Sequence, residues 1–188
     1  KGCLLGNDYF LAMGRWYISQ GGLCAIEHGR ERLITPLPLY HMNAMACSFM
    51  TMLLSSGCLI QLDRFHPATW WRDVAASKAT IVHYLGVMPA ILLGLDVCGE
   101  ERRHQVRFGF GANVDPKHHA AFEVRFGLPL IEAWAMTETG AGACIAANRE
   151  PRHVGSRCFG KPRDCEVRIL DDGELLVRHS AAAPRKNF

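Results

Sequence analysis

The sequence predicts an α/β fold: a mostly parallel sheet with covering helices, followed by the start of a small β-rich subdomain. Three observations carry this. Short β-branched apolar runs alternate with helix-length stretches, the β-α-β-α order that builds a parallel sheet. Past Gly142 the alternation stops, and two strand-like runs flank Asp171-Asp172-Gly173, a hairpin signal. The 188 residues, 49% hydrophobic and 21% charged, have the composition of a globular chain that buries a core without metals or disulfides.

In chain order, Asn7 or Asp8 caps a helix through Phe10, Met13 and Tyr17, and Gly21-Gly22 stops it. Residues 32–35 form a short strand entering the Pro36-Leu37-Pro38 loop. Residues 43–54, rich in Ala, Met and Leu, form a helix ended near Gly57. Residues 58–62 are a short buried strand. Pro67 then opens a helix, in whose first turn its missing N–H costs nothing. Residues 80–85 are β-branched and bounded by Gly86, hence a strand. Residues 88–95 are a helix, 106–110 a strand, 116–125 a helix and 130–134 a strand. Residues 165–170 and 174–178 are the hairpin strands. The division falls between 1–145 and 146–188.

The charge is 21 basic against 18 acidic residues, +3, and it is spread along the chain. With no basic block, neither nucleic acid nor a membrane surface is an expected partner. Apolar stretches stop well short of about 18 residues, so no transmembrane helix is expected. None of the eight cysteines is spaced C-x-x-C. They read as small buried hydrophobes in a reducing compartment, the cytoplasm, rather than zinc ligands or a disulfide frame. Lys1-Gly2-Cys3-Leu4 resembles no signal peptide, and the chain is expected to begin mid-protein.

Parallel-sheet proteins place ligands in the loops that follow their strands, and three such loops are unusual. In Pro36-Leu37-Pro38-Leu39-Tyr40-His41-Met42-Asn43, two prolines hold an extended run that delivers Tyr40 and His41 to the mouth of a helix. For His41 alone, a structural role is the simpler reading. In Phe108-Gly109-Phe110-Gly111-Ala112-Asn113, glycines at a strand end let the backbone approach a flat ligand; for the glycine pair alone, a plain tight turn is the simpler reading. In Trp134-Ala135-Met136-Thr137-Glu138-Thr139-Gly140, a hydroxyl beside a carboxylate suits a phosphate oxygen and its magnesium ion. The competing reading makes Thr137 a helix N-cap and Glu138 a first-turn acid. His118 and His119 are adjacent and point different ways on a helix, so they do not chelate together. There is no G-x-S-x-G elbow and no full P-loop.

Taken together and in order, these segments resemble the adenylate-forming enzymes: acyl-CoA synthetases, luciferase and peptide-synthetase adenylation domains. Lys1-Gly2 is similar to the end of that family's phosphate loop. Pro38-Leu39-Tyr40-His41 is similar to P-L-F-H, and Gly111-Ala112-Asn113 to a Gly-Ala-Ala/Pro turn. Trp134-Ala135-Met136-Thr137-Glu138 is similar to Tyr-Gly-Met-Thr-Glu. Val154-Gly155-Ser156 through Gly160-Lys161-Pro162, and Gly173-Glu174-Leu175-Leu176-Val177-Arg178, match two further segments. Among the branches, residues 65–80 and 126–139 look most like carnitine/crotonobetaine–CoA ligases.

The resemblance implies that ATP and a small carboxylic acid form an acyl-adenylate, which coenzyme A then attacks. It implies that 1–145 is the central α/β part of a large AMP-binding domain. Lys1 would be the phosphate-loop lysine, Thr137 would bond phosphate and Glu138 would hold Mg2+. Gly111, Ala112 and Asn113, with Glu132, Ala133 and Trp134, would bound the adenine. His41 and the segment Tyr84, Gly86, Val87 would line the acyl pocket, and Arg64 would lie near coenzyme A phosphates. The family's ribose-binding Thr-Gly-Asp segment and C-terminal lysine are expected beyond Phe188, so the chain alone is not expected to form acyl-adenylate. A homodimer is compatible with this reading. An adenylation domain that loads a carrier protein and a non-catalytic nucleotide-binding module are the alternatives. Ala135 and Asn113 depart from the family pattern and bear on which acid is taken.

Overall fold

The computed structural model describes residues 2–162, 165–169 and 175–179. Four strands lie side by side in parallel: β1 (Arg32–Thr35), β3 (Ile81–Leu85), β4 (Phe108–Ala112) and β5 (Leu130–Trp134). β2 (Cys58–Gln61) joins β1 in parallel at one edge, and β6 (Ile145–Ala146) pairs antiparallel with β5 at the other. The order is therefore β2-β1-β3-β4-β5-β6. The chain steps outward from β1 to β2, then crosses back to β3, which puts the topological switch between β1 and β3. The main sheet reaches Ala146, one residue past the expected division at 145.

Side chains alternate along each strand, and both faces are covered. Leu33, Ile81, Phe108 and Ile131 pack under α1 (Asn7–Ser19) and the helix that follows β1. Ile34, Val82, Tyr84 and Leu130 pack under α3 (Trp70–Ala76), α4 (Val87–Leu93) and α5 (Pro116–Phe126). Burial on both faces is why these strands read as continuous apolar runs. On the second face Trp71 stacks on Phe126 at 4.6 Å, and Phe122 lies 4.5 Å from Phe126. Each such ring removes a large apolar area from water and adds a geometry-specific pair term.

α5 forms where every local signal agrees. Asp115 accepts a hydrogen bond from the Lys117 N–H, Pro116 opens the first turn, and Gly127 ends the helix at φ 73°. Other boundaries differ from the sequence expectation. α1 is capped by the extended backbone of Gly6 without a side-chain bond, so Asn7 and Asp8 lie inside its first turn. Pro67 precedes α3: it accepts from the Trp70 N–H in a turn, and the helix starts at Trp70 because Thr69 bonds Asp73 at 2.7 Å. The helix after β1, α2, is π-helical over Asn43–Phe49 and α-helical only over Met50–Leu54. β4 begins at Phe108 and runs through Gly111 and Ala112, so what the glycines suggest as a loop is strand.

β7 (Cys165–Ile169) and β8 (Leu175–His179) form a separate antiparallel pair, with Val167 opposite Val177. This agrees with the expected hairpin; its turn, Asp171-Asp172-Gly173, lies outside the described residues.

The segment leading out of the main sheet is pinned by one carboxylate. Glu123 on α5 accepts two bonds from Arg152 (2.6 and 2.9 Å), one from His119 (3.1 Å) and one from the Leu130 N–H (2.8 Å). Burial pushes the Glu123 carboxyl up, but these donors outweigh it and hold it at about 2, against 4.5 in the ordinary state. A carboxyl whose pKa falls on folding adds stability that is complete above the unfolded pKa. That stability is lost as pH falls from about 4.5 toward 2. Allowing for its partial exposure, the contribution is about 2 kcal/mol at neutral pH. Glu123→Gln should therefore be less stable than the parent at pH 7 in urea titrations, and the two curves should converge by about pH 2. A constant difference across that range would remove Glu123 from this role.

Candidate functional site

The C-terminal ends of β1, β3, β4 and β5 share one edge of the sheet, and the loops that leave them bring the three unusual segments together. A cleft of about 120 Å³ opens there. Its floor is Phe110, Gly111 and Ala112 of β4 with Ala133 and Trp134 of β5, and it continues to Ala135. Its wall is Trp16 of α1 with Met42, Asn43 and Cys47 of α2. The lining is mostly apolar, and burial pushes the Cys47 thiol well up, so the thiol stays neutral.

The expected residues divide between this cleft and the opposite face. Gly111, Ala112, Ala133 and Trp134 line the cleft. Tyr84 and Glu132 do not. Tyr84, Gly111 and Glu132 stand in one row across β3, β4 and β5, and strand parity turns that row toward α3, α4 and α5. Both side chains are 2% exposed. The Tyr84 ring lies over Gly111, where an added Cβ would stand 2.8 Å from the ring and 2.3 Å from the Tyr84 carbonyl. Its hydroxyl donates to the Ile131 carbonyl at 3.2 Å and approaches Glu132 Oε1 at 3.5 Å. Gly111 is thus required by the neighbouring strand, and the Tyr84 side chain packs on the face away from this cleft.

The Glu132 carboxylate accepts the N–H groups of Asn113 (2.9 Å) and Val114 (2.8 Å). It braces the turn leaving β4 from behind and does not reach the cleft. Asn113 is exposed and left-handed, φ 72°, a conformation that Asn tolerates better than other side-chain-bearing residues. Gly86 supports the same turn from β3: an added Cβ would stand 1.7 Å from the Asn113 carbonyl oxygen. Val87, 60% exposed, opens α4 beside it.

His41 is exposed, its ring 4.5 Å from that of Tyr40, and it precedes the cleft residue Met42. Thr137 and Glu138 follow Ala135 in a turn closed by the Thr139 and Gly140 N–H groups on the Met136 carbonyl. The short 3₁₀ helix beyond it, Gly140–Ala143, has Thr139 at its N-cap. Thr137 is therefore not a helix cap, and the competing structural reading of that loop fails. Neither Thr137 nor Glu138 forms a hydrogen bond or ion pair with a described residue. Arg64 is exposed, 3.7 Å from Asp63, beyond β2. Three strand spacings, about 14 Å, separate β2 from β4. Lys1 lies outside the described residues.

Sequence reasoning missed a buried polar chain behind the cleft wall. His83 of β3 is fully buried and faces α1 and α2. Its Nε2 is 3.1 Å from the Tyr17 hydroxyl, and its Nδ1 is 2.7 Å from Asn43 Oδ1 and 2.8 Å from Ser48 Oγ. Ser48 Oγ in turn donates to the Asn43 carbonyl at 3.0 Å, across the π-helical turn. Burial pushes the His83 imidazole down to about 3, so it is neutral. The available signal was a histidine in the middle of an otherwise apolar strand.

The family model described as AMP-binding enzyme matches residues 1–182. The chain is 35% identical, over 146 residues, to sulfoacetate–CoA ligase of Cupriavidus necator, covering 74% of this chain and 27% of that protein. It is 26% identical, over 174 residues, to crotonobetaine/carnitine–CoA ligase of Citrobacter koseri, covering 92% of this chain and 32% of that one. The chain thus spans about a third or less of the length of these relatives. Its fold is similar to that of the N-terminal domain of FACL13 from Mycobacterium tuberculosis. That match has a TM-score of 0.77 at 18% identity over 94% of this chain and 44% of the other.

Proposed function

The chain belongs to the AMP-binding enzyme family, and on that premise we propose that it forms the central part of an ATP-dependent acyl-CoA ligase. A carboxylate oxygen attacks the α-phosphorus of ATP, pyrophosphate leaves, and the thiol of coenzyme A then takes the acyl group and releases AMP. The observation that supports this best is the cleft itself. Gly111, Ala112, Ala133 and Trp134 line it, and the loop that leaves it carries Thr137 and Glu138, whose side chains no described residue engages. A hydroxyl and a carboxylate left open beside an apolar cleft suit a phosphate oxygen and its cation.

In this reading the backbone of Gly111, Ala112 and Asn113, with Ala133 and Trp134, borders the adenine. Glu132 acts only by holding the Asn113–Val114 turn. His41 and Val87 lie at the acyl side, Arg64 at the far end of the same edge toward coenzyme A phosphates, and Thr137 donates to a phosphate oxygen. Glu138 fits magnesium, which proteins hold through one or two carboxylates while waters and substrate phosphates complete the shell. No group of three or more His, Cys, Asp or Glu able to hold a metal exists among the described residues. Magnesium held there would offset the charge of two anions that must meet. A cytoplasmic setting accords with the free thiols of Cys3, Cys24, Cys47, Cys58, Cys98 and Cys158. We place the division of the chain near residue 146, after β6.

The test is carboxylate-dependent ATP–pyrophosphate exchange by the full-length protein carrying this chain, followed by thioester formation with coenzyme A. Exchange that needs both an acid and magnesium, with a coenzyme A thioester as product, is expected. Exchange without thioester formation would favour carrier-protein loading, and ATP binding without exchange would favour a non-catalytic module.

A further inference from the structure

The buried chain behind the cleft wall fixes which way one side chain in that wall points. Tyr17 is fully buried, and among the described residues its hydroxyl meets only His83 Nε2. The hydroxyl proton needs an acceptor, so Nε2 carries none and the imidazole proton sits on Nδ1. The opposite tautomer would strand a buried O–H with nothing to accept it. Ser48 donates to the Asn43 carbonyl, which can only accept. Nδ1–H therefore donates, and the Asn43 atom 2.7 Å away is its amide oxygen, with Ser48 Oγ sharing the proton at 2.8 Å.

With Oδ1 occupied, the Asn43 amide nitrogen is turned away from His83. It bonds no described residue. Among the described residues the one fully buried side-chain polar atom without a partner is Thr51 Oγ1, so Asn43 Nδ2 is not sealed in the core. Asn43 lines the cleft, opposite Trp134 and Ala133 and beside Met42 and Cys47. An amide N–H pair, oriented from behind by a neutral buried imidazole, is thus presented in an otherwise apolar setting.

We propose that Asn43 is a specificity-determining residue whose amide N–H selects carboxylic acids carrying a hydrogen-bond acceptor, such as a carbonyl, hydroxyl or anionic oxygen, on the end that meets the Asn43 wall of the cleft, across from the strand ends whose backbone borders the adenine. His83 is its positioning residue. This rests on the ligase reading. A site that offers a polar group discriminates strongly against an analogue lacking the partner, because the group is then left unpaired.

The experiment compares kcat/KM for pyrophosphate exchange within two matched pairs: 4-oxopentanoate against pentanoate, and 5-oxohexanoate against hexanoate. The full-length protein is expected to favour the oxo acid of at least one pair by about tenfold or more. Asn43→Asp keeps the oxygen that His83 needs and removes the donor; Asn43→Leu removes both. Each should abolish the preference, with the loss falling on the oxo acid. His83→Phe should lower the ratio as well, whereas a mere loss of stability would lower both acids together. A parent protein without preference in either pair, or a preference that survives Asn43→Asp and Asn43→Leu, overturns the inference and leaves the ligase reading standing. No exchange with any acid overturns both.

Discussion

Glu138→Gln should leave the melting temperature of the protein unchanged while cutting magnesium- and carboxylate-dependent pyrophosphate exchange by about a hundredfold or more. Glu138 is exposed and pairs with no described residue, and surface changes away from such features stay within about 0.5 kcal/mol. The expected loss lies in turnover. An amide is a far poorer magnesium ligand than a carboxylate, and the metal's help grows as charge shifts toward the leaving pyrophosphate. A metal's charge stabilisation amounts to several kcal/mol, and each 1.36 kcal/mol is tenfold in rate. Thr137→Ala should cost less, about 1.5–3 kcal/mol for one charge-assisted bond. With Thr139 at the cap of the following 3₁₀ turn, Thr137→Ala carries no cap penalty, so its melting temperature should also hold. Full exchange activity in Glu138→Gln, or an activity loss that simply tracks a fall in melting temperature, would return this loop to a structural role.

The fold was legible where side-chain chemistry and periodicity spoke together. β1 and β5 keep their expected bounds, Arg32–Thr35 and Leu130–Trp134, because apolar runs buried on both faces leave little room to slide. β4 shifted because Gly109 and Gly111 carry no side chain to report a face. Their spaces are filled by Leu130 and Tyr84, residues about 20 or more positions away whose approach no local pattern records. The π-helical turns of α2 were invisible, since Ala, Met and Cys suit either helix; the distinguishing Ser48 bond closes only in three dimensions.

The site was legible as an edge, not as a surface. Motif order placed the loops after β1, β4 and β5 around one cleft, and that holds for Gly111, Ala112, Ala133 and Trp134. It also swept in Tyr84 and Glu132, which parity sends to the far side of the sheet. Glu132 is turned away from the cleft by its bonds to the Asn113 and Val114 N–H groups, which close only in the folded chain. Asn43 and His83 belong to the opposite case, a partnership across 40 residues that neither sequence position announces.

The turn between β4 and α5 is where stability should be most sensitive. Glu132→Ala would leave the Asn113 and Val114 N–H groups without their acceptor, and Val114 is 1% exposed, so water does not simply replace it. At about 1–3 kcal/mol for each stranded donor, a loss of about 3–5 kcal/mol follows. Glu132→Gln keeps one oxygen but turns an N–H pair toward the other donor, and should cost about 2 kcal/mol. Gly86→Ala attacks the turn from the other side. The added carbon would lie 1.7 Å from the Asn113 carbonyl oxygen, a backbone atom that no rotamer can move. Overpacking of this kind costs about 1–3 kcal/mol and more where backbone must yield. Because both changes displace one turn, Gly86→Ala combined with Glu132→Ala should cost less than the sum of the two. Urea titrations of the parent and the four variants read all of this from the midpoint shifts, provided the slopes agree. If Glu132 instead touched nucleotide, Glu132→Ala would weaken ATP binding with its midpoint unmoved, and the brace assigned to it here would be wrong.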